Sequence, residues 1–134
     1  MPVIDTSAII AAIANPQPNR ELIGILLKPF AAPAVVDFEF LNTMRALVRR
    51  NAITDVNAEE AVRTFYELPI IRHEADILAP DIWKLRENMT AYDASYLALS
   101  HLLKTTLITC DQKFARTPLP SGYSVDILTL PSSQ

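Results

Sequence analysis

Four acidic residues stand at the ends of apolar segments, and they are the side chains best suited to chemistry. Asp5 closes the run Met1-Pro2-Val3-Ile4, and Asp111 follows Thr106-Leu107-Ile108-Thr109-Cys110. Asp93 opens the helical stretch that continues to Leu99, and Glu39 lies early in a helical stretch from Val35 to Arg50. If the strands are parallel neighbours, these carboxylates meet at one edge of one sheet. Two carboxylates about 4 Å apart repel by roughly 4 kcal/mol at an effective dielectric near 20. A cluster of them therefore holds protons or binds a divalent cation. The sequence has no His-x-x-x-His and no Cys-x-x-Cys, which argues against zinc. Oxygen donors suit Mg²⁺ or Mn²⁺. Mg²⁺ keeps several waters and takes one or two protein carboxylates plus substrate phosphate, and a water of lowered pKa can attack phosphorus in line. The plainer alternative is that acids near element ends are ordinary among 15 Asp and Glu, and that Asp93 is only a helix cap.

The elements that must position these acids alternate between short β-rich runs and helical runs. Met1 to Asp5 reads as a strand. Thr6-Ser7 can cap a helix over Ala8 to Ala14, and Asn15-Pro16-Gln17-Pro18 breaks the chain. Arg20 to Lys28 reads as a second helix ended by Pro29, and Phe30-Ala31-Ala32 as a short strand. Pro33 suits the first turn of a long helix running to Arg50, with Val36, Phe40, Met44, Leu47 and Val48 in helical period. Asn51 can end it in the left-handed conformation. Thr54 to Leu68 reads as a helix and Ile70 to Arg72 as a strand. Glu74 to Glu87 reads as a helix that Pro80 kinks or splits. Thr90 caps Tyr92 to Leu103; Thr106 to Thr109 is a strand, Gln112 to Ala115 a helical turn, and Val125 to Leu128 a last strand. Strands separated by helices imply an α/β domain, a central parallel sheet with helices on both faces. Ligands in such sheets bind beyond the carboxyl ends of the strands, where strand order reverses. Asp5 and Asp111 fall at that place.

The 134 residues suit one domain over 1–134, with 131–134 expected to fray. A chain of this size buries roughly 65–70% of its unfolded surface, enough for a core. No apolar run approaches the roughly 20 residues of a membrane span. The N-terminus lacks the pattern of a secretory signal. The lone Cys110 cannot form an internal disulfide, so a reducing cytoplasm is expected. A net charge of −3 argues against a simple electrostatic nucleic-acid binder but not against a nuclease, whose bound metal reverses the local sign. Arg45 and Arg49 lie one turn apart on a helix; they are either a solvated face or a possible RNA-binding edge that grips phosphate.

Val3-Ile4-Asp5-Thr6-Ser7-Ala8 resembles the opening of PIN-domain ribonucleases, especially the VapC toxins of toxin–antitoxin pairs. Glu39-Phe40-Leu41-Asn42, continuing to Met44-Arg45, resembles the second motif of that family. Tyr92 to Leu99 is very similar to the third, and Leu107 to Asp111 with Lys113-Phe114-Ala115 resembles the fourth. Each motif alone is weak; all four in family order across nearly the whole chain are specific. The resemblance implies a PIN-like three-layer α/β/α fold and Mg²⁺- or Mn²⁺-dependent endonucleolytic cleavage of RNA. It implies Asp5 and Asp93 as principal metal ligands, with Glu39 and Asp111 completing the catalytic site. Thr6, Ser7, Asn42 and Thr109 would orient the carboxylates by hydrogen bonds. It also implies a homodimer and a cognate VapB-like antitoxin. The chain departs from the pattern before Asp93, where Asn88-Met89-Thr90 replaces a common glycine turn, and at Cys110, a position often small and apolar.

Other residues with side chains capable of chemistry have plainer roles. Asp37 competes with Glu39, but Glu39 shares a side with Asn42. His73 and His101 are isolated and fit surface or core roles. Cys110 reads as a small buried hydrophobe. Trp83 and Tyr66 could stack on bases, although packing in a core or interface is favoured by their helical spacing. Ile9, Ile10, Ile13, Leu22, Ile25 and Leu26 make two early helices unusually apolar, as core or as a dimer or antitoxin surface. Two rival functions stand beside the nuclease. One is a catalytically inactive PIN-like module that binds RNA or protein, which the presence of all four acids opposes. The other is a receiver-like phospho-acceptor, for which Lys113 is a poor fit.

Overall fold

The computed structural model describes residues 1–133; Gln134 lies outside the described residues. The elements run β1 (Val3–Ile4), α1 (Thr6–Ile13), α2 (Arg20–Leu26), β2 (Phe30–Pro33), α3 (Val36–Arg49), α4 (Asp55–Glu67), β3 (Ile70–His73), α5 (Ala75–Lys84), α6 (Ala91–Leu103), β4 (Leu107–Thr109), α7 (Lys113–Arg116) and β5 (Ile127–Thr129). The strands form one sheet in the order β3-β2-β1-β4-β5. Every pairing is parallel, with Val3 opposite both Ala31 and Leu107. The chain builds outward from β1 to β3, then returns to start β4 on the other side of β1. Strand order thus reverses between β1 and β4, where a crevice opens beyond their carboxyl ends.

Side chains alternate across the strands, so each strand feeds two cores. Ile4, Phe30, Ala32 and Ile108 face a cluster with α1 to α4, which includes Ile9, Leu22, Leu26, Phe40 and Phe65. Val3, Ala31 and Leu107 face the opposite cluster with α5 to α7, which includes Leu78, Leu85, Leu97, Leu99 and Phe114. This is a three-layer α/β/α arrangement with the short central strand β1 fully buried. Phe40 and Phe65 stack at 4.1 Å between ring centroids and join α3 to α4.

The expected elements are all present, with local differences. The α1 helix begins at Thr6 because Asp5, not Thr6 or Ser7, is its cap. Pro33 belongs to β2 rather than α3. Its fixed φ suits an extended strand end, and the next residue continues the ladder through Ala34 N–H donating to the His73 carbonyl at 2.8 Å. Pro80 lies inside one continuous helix and does not split it. Asn51 and Lys104 follow α3 and α6 with φ of 58° and 52°, the left-handed stop of a helix end. The last strand starts later than its apolar run, at Ile127. The tail is tied to the α1–α2 connection: Asn19 donates to the Pro131 carbonyl at 2.8 Å, Asn15 to that of Ser132 at 3.0 Å, and Ser133 bridges Pro18.

Candidate active site

Each of the four acids lies at or beside a helix N-terminus. Asp5 caps α1, Glu39 and Asp93 sit in the first turns of α3 and α6, and Asp111 precedes α7. Helix N-termini carry unpaired N–H groups and partial positive charge, which favours a carboxylate there. The helices α1, α3 and α7 follow β1, β2 and β4, and α6 lies within the β3–β4 crossover, so their starts converge on one sheet edge. They enclose a cavity of about 560 Å³ lined by all four acids together with Thr6, Ser7, Thr43, Tyr96, Cys110 and Gln112.

Asp5 is only 5% exposed. Its Oδ1 accepts hydrogen bonds from Ser7 Oγ at 2.7 Å and from Ala8 N–H at 3.1 Å, and its Oδ2 accepts one from Thr109 Oγ1 at 2.7 Å. Burial nevertheless lifts its pKa to about 6, the three hydrogen bonds opposing the shift and the charge of Asp111 adding to it. Ser7 also accepts the Cys110 N–H at 3.0 Å, and Thr109 the Asp111 N–H at 2.9 Å, so the ends of β1 and β4 are laced together through hydroxyls.

Glu39 is held on the other wall. Its Oε1 accepts from Thr6 Oγ1 at 2.9 Å and from the Tyr96 phenol at 2.6 Å. Tyr96 is buried, and desolvation followed by the Glu39 charge pushes its pKa well above the usual value, so it stays a donor. Asp93 and Asp111 are held differently. Lys113 Nζ lies 2.9 Å from Asp93 Oδ2 and 3.4 Å from Asp111 Oδ2. Its hydrogen bond to Asp93 is the main reason its pKa rises, so it is a firm cation. Burial, then Asp5, moves the Cys110 thiol up to about 11, which leaves it protonated and a poor nucleophile.

Of the four residues expected to orient the carboxylates, Thr6, Ser7 and Thr109 do so. Asn42 does not: it is exposed and makes no side-chain hydrogen bond among the described residues. Thr43, one position on, faces the cavity instead. Arg45 and Arg49 do not line the cavity; they flank a separate groove between α3 and α4 with Arg63. Asp37 is engaged elsewhere, in a two-point pair with Arg72 at 2.7 and 2.9 Å. His101 packs on Tyr123, away from the acids. Trp83 and Tyr66 are exposed rather than packed inside, each with an arginine over its ring. Ile9, Leu22 and Leu26 are core, with Ile10, Ile13 and Ile25 packed against it. Sequence reasoning missed Tyr96 and Lys113 as members of the site. Tyr96 lies three residues after Asp93, on the same helix face, a spacing that could have nominated it.

The donor set fits a hard cation: carboxylate oxygens, hydroxyls, no imidazole and a protonated thiol. Among the described residues no three acidic, His or Cys side chains form a ready-made cage. Mg²⁺ does not require one, since it is held by one or two carboxylates with water and phosphate completing the shell.

A PIN domain profile matches residues 3–119. Ribonuclease VapC9 of Mycobacterium tuberculosis is 34% identical over 117 residues, covering 87% of this chain and 91% of that protein. Ribonuclease VapC3 of the same organism is 27% identical over 125 residues, covering 92% and 90%. Among solved structures, PAE2754 from Pyrobaculum aerophilum superposes with a TM-score of 0.68 at 21% identity, covering 93% of this chain and 82% of that one. Mycobacterium tuberculosis VapC20, described as a sarcin-ricin loop cleaving toxin, gives 0.61 at 16% identity, covering 92% and 97%. The chain belongs to the PIN-domain family, among its VapC ribonucleases.

Proposed function

We propose that the chain is the endoribonuclease toxin of a type II toxin–antitoxin pair and cuts RNA at the cavity shared by Asp5, Glu39, Asp93 and Asp111. The convergence of four carboxylates from four helix starts, two of them held by dedicated hydroxyl donors, carries this reading. Asp5 and Asp93 would hold Mg²⁺ or Mn²⁺ directly, and Glu39 and Asp111 would complete the site through water or a second ion. The metal supplies a water of lowered pKa and charge neutralisation at phosphorus. The chain's own groups do the positioning. Ser7, Thr109 and the Ala8 N–H fix the plane of the Asp5 carboxylate, while Thr6 and Tyr96 fix Glu39. Arg45 and Arg49, outside the cavity, serve phosphates flanking the cut rather than the scissile one.

The partners that follow are RNA, a VapB-like antitoxin and a second copy of the chain, with the 134 residues acting as one domain in the cytoplasm. Among the described residues no helix is long and apolar enough to cross a membrane. The exposed Phe38, Ile77, Trp83 and Tyr92 supply apolar surface for protein partners. Light scattering on the purified protein checks the homodimer. The enzymatic reading is tested by incubating a mixed RNA pool with purified protein in Mg²⁺ or Mn²⁺, in EDTA, and with Asp93→Asn. Metal-dependent cutting lost in the variant is expected. Full cutting by a clean Asp93→Asn preparation, or in EDTA, overturns it.

A further inference from the structure

The cavity that must receive a phosphodiester has no Lys or Arg in its lining among the described residues. The cation that reaches its acids is Lys113, and its placement is double. Its backbone N–H donates to Asp111 Oδ1 at 3.0 Å, while its ammonium spans Asp93 Oδ2 and Asp111 Oδ2. The residue is therefore anchored at the main chain, and its side chain, 57% exposed, is free to swing on a flexible four-carbon stem. A single positive charge shared between two carboxylates balances only one of them. A dication held by Asp93 would compete for the Oδ2 lone pairs that the ammonium now engages and would repel it. Once displaced, the ammonium remains tethered at the mouth of the cavity, where a phosphate brings the negative charge that the metal has taken from it.

We propose that Lys113 is a two-position residue: the counter-ion of Asp93 and Asp111 before metal binds, and a ligand of the scissile phosphate afterwards. The second position rests on the nuclease reading; the first does not. Both are tested on the full chain with Lys113→Met and Lys113→Arg, and with Lys113→Gln as a second neutral variant should Met fold poorly. Calorimetric titration with Mn²⁺ alone is expected to show about two- to tenfold tighter binding in the neutral variants, the range given up by two half-exposed ion pairs. Single-turnover cleavage of RNA at saturating Mn²⁺ is expected to slow about tenfold or more in the same variants, as loss of a charge-assisted phosphate contact implies, and to recover largely in Lys113→Arg. Unchanged or weaker Mn²⁺ binding overturns the counter-ion role. Unchanged cleavage in the neutral variants overturns the phosphate role. If the wild-type chain cuts no RNA while Mn²⁺ binding still tightens, the nuclease reading and the phosphate role fall together and the counter-ion role stands.

Discussion

The two halves of the acidic cavity are built by opposite means. Asp5 and Glu39 are fastened by neutral donors: three hydrogen bonds on one, and a threonine and a tyrosine on the other. Asp93 and Asp111 share a charge, the ammonium of Lys113, with one neutral donor, the Lys113 N–H, on Asp111. Neutral donors hold geometry whether or not a cation is present, and they leave the burial cost of a carboxylate only partly offset. A mobile cation offsets charge but fixes little. The rigid half therefore defines where a ligand must sit, and the open half adjusts to it.

The largest effects belong to Asp5→Asn and Asp93→Asn. Both are expected to lower cleavage at least about a hundredfold, and Asp5→Asn is also expected to change stability. The folded pKa of Asp5, about 6, lies above the ordinary carboxyl value of 3.8, so this group's stabilisation is complete below about 3.8 and is lost as pH rises through about 6. In the metal-free chain the loss by pH 7.5 is of the order of 3 kcal/mol. Thermal melts in EDTA should fall across that window for the wild type and stay flatter for Asp5→Asn. Equal slopes in the two would remove the burial cost that sets Asp5 apart.

Thr109→Val sharpens the contrast. Removing the donor to Asp5 without changing shape should cost about 1–3 kcal/mol, more at pH 7.5 than at pH 4.5, because only the ionised carboxylate misses it fully. Denaturant melts at the two pH values check this. Tyr96→Phe should cost about 1 kcal/mol and slow cleavage, with Glu39 left to Thr6 alone; binding of Mn²⁺ should change little, since the loss is in the orientation of one acid. The smallest effect belongs to Arg72→Ala. Its pair with Asp37 is partly exposed and remote from the cavity, so a loss within about 1 kcal/mol and unaltered cleavage are expected in the same assays.

What the sequence made legible follows from how local each cause is. The four acids were readable because each ends or begins an element, and element ends are marked by composition. Thr6, Ser7 and Thr109 were readable because they neighbour those acids. The phase of α3 was not. Glu39 and Thr43 are one turn apart, with Thr43 Oγ1 donating back to the Glu39 carbonyl at 2.8 Å, whereas a three-residue spacing nominated Asn42. Tyr96 sits within the apolar run of α6 and reads as plain core until Glu39 arrives from another helix to meet its hydroxyl. Lys113 bridges Asp93 and Asp111 only once α6 and α7 stand at the same sheet edge, which no window of sequence displays. Pro33 was ambiguous because one fixed φ serves both a helix start and a strand end, and only the pairing with β3 decides.

The stitched tail has a practical corollary for anyone handling the protein. Ser132 forms part of the cavity wall, whereas Met1 lies at the opposite edge of the sheet, its carbonyl accepting a hydrogen bond from Thr105. A purification handle at the front of the chain leaves the mouth of the enzyme clear. The same handle at the rear extends from a segment that lines the proposed RNA site, so a fusion there is expected to cut more slowly than the front-tagged protein.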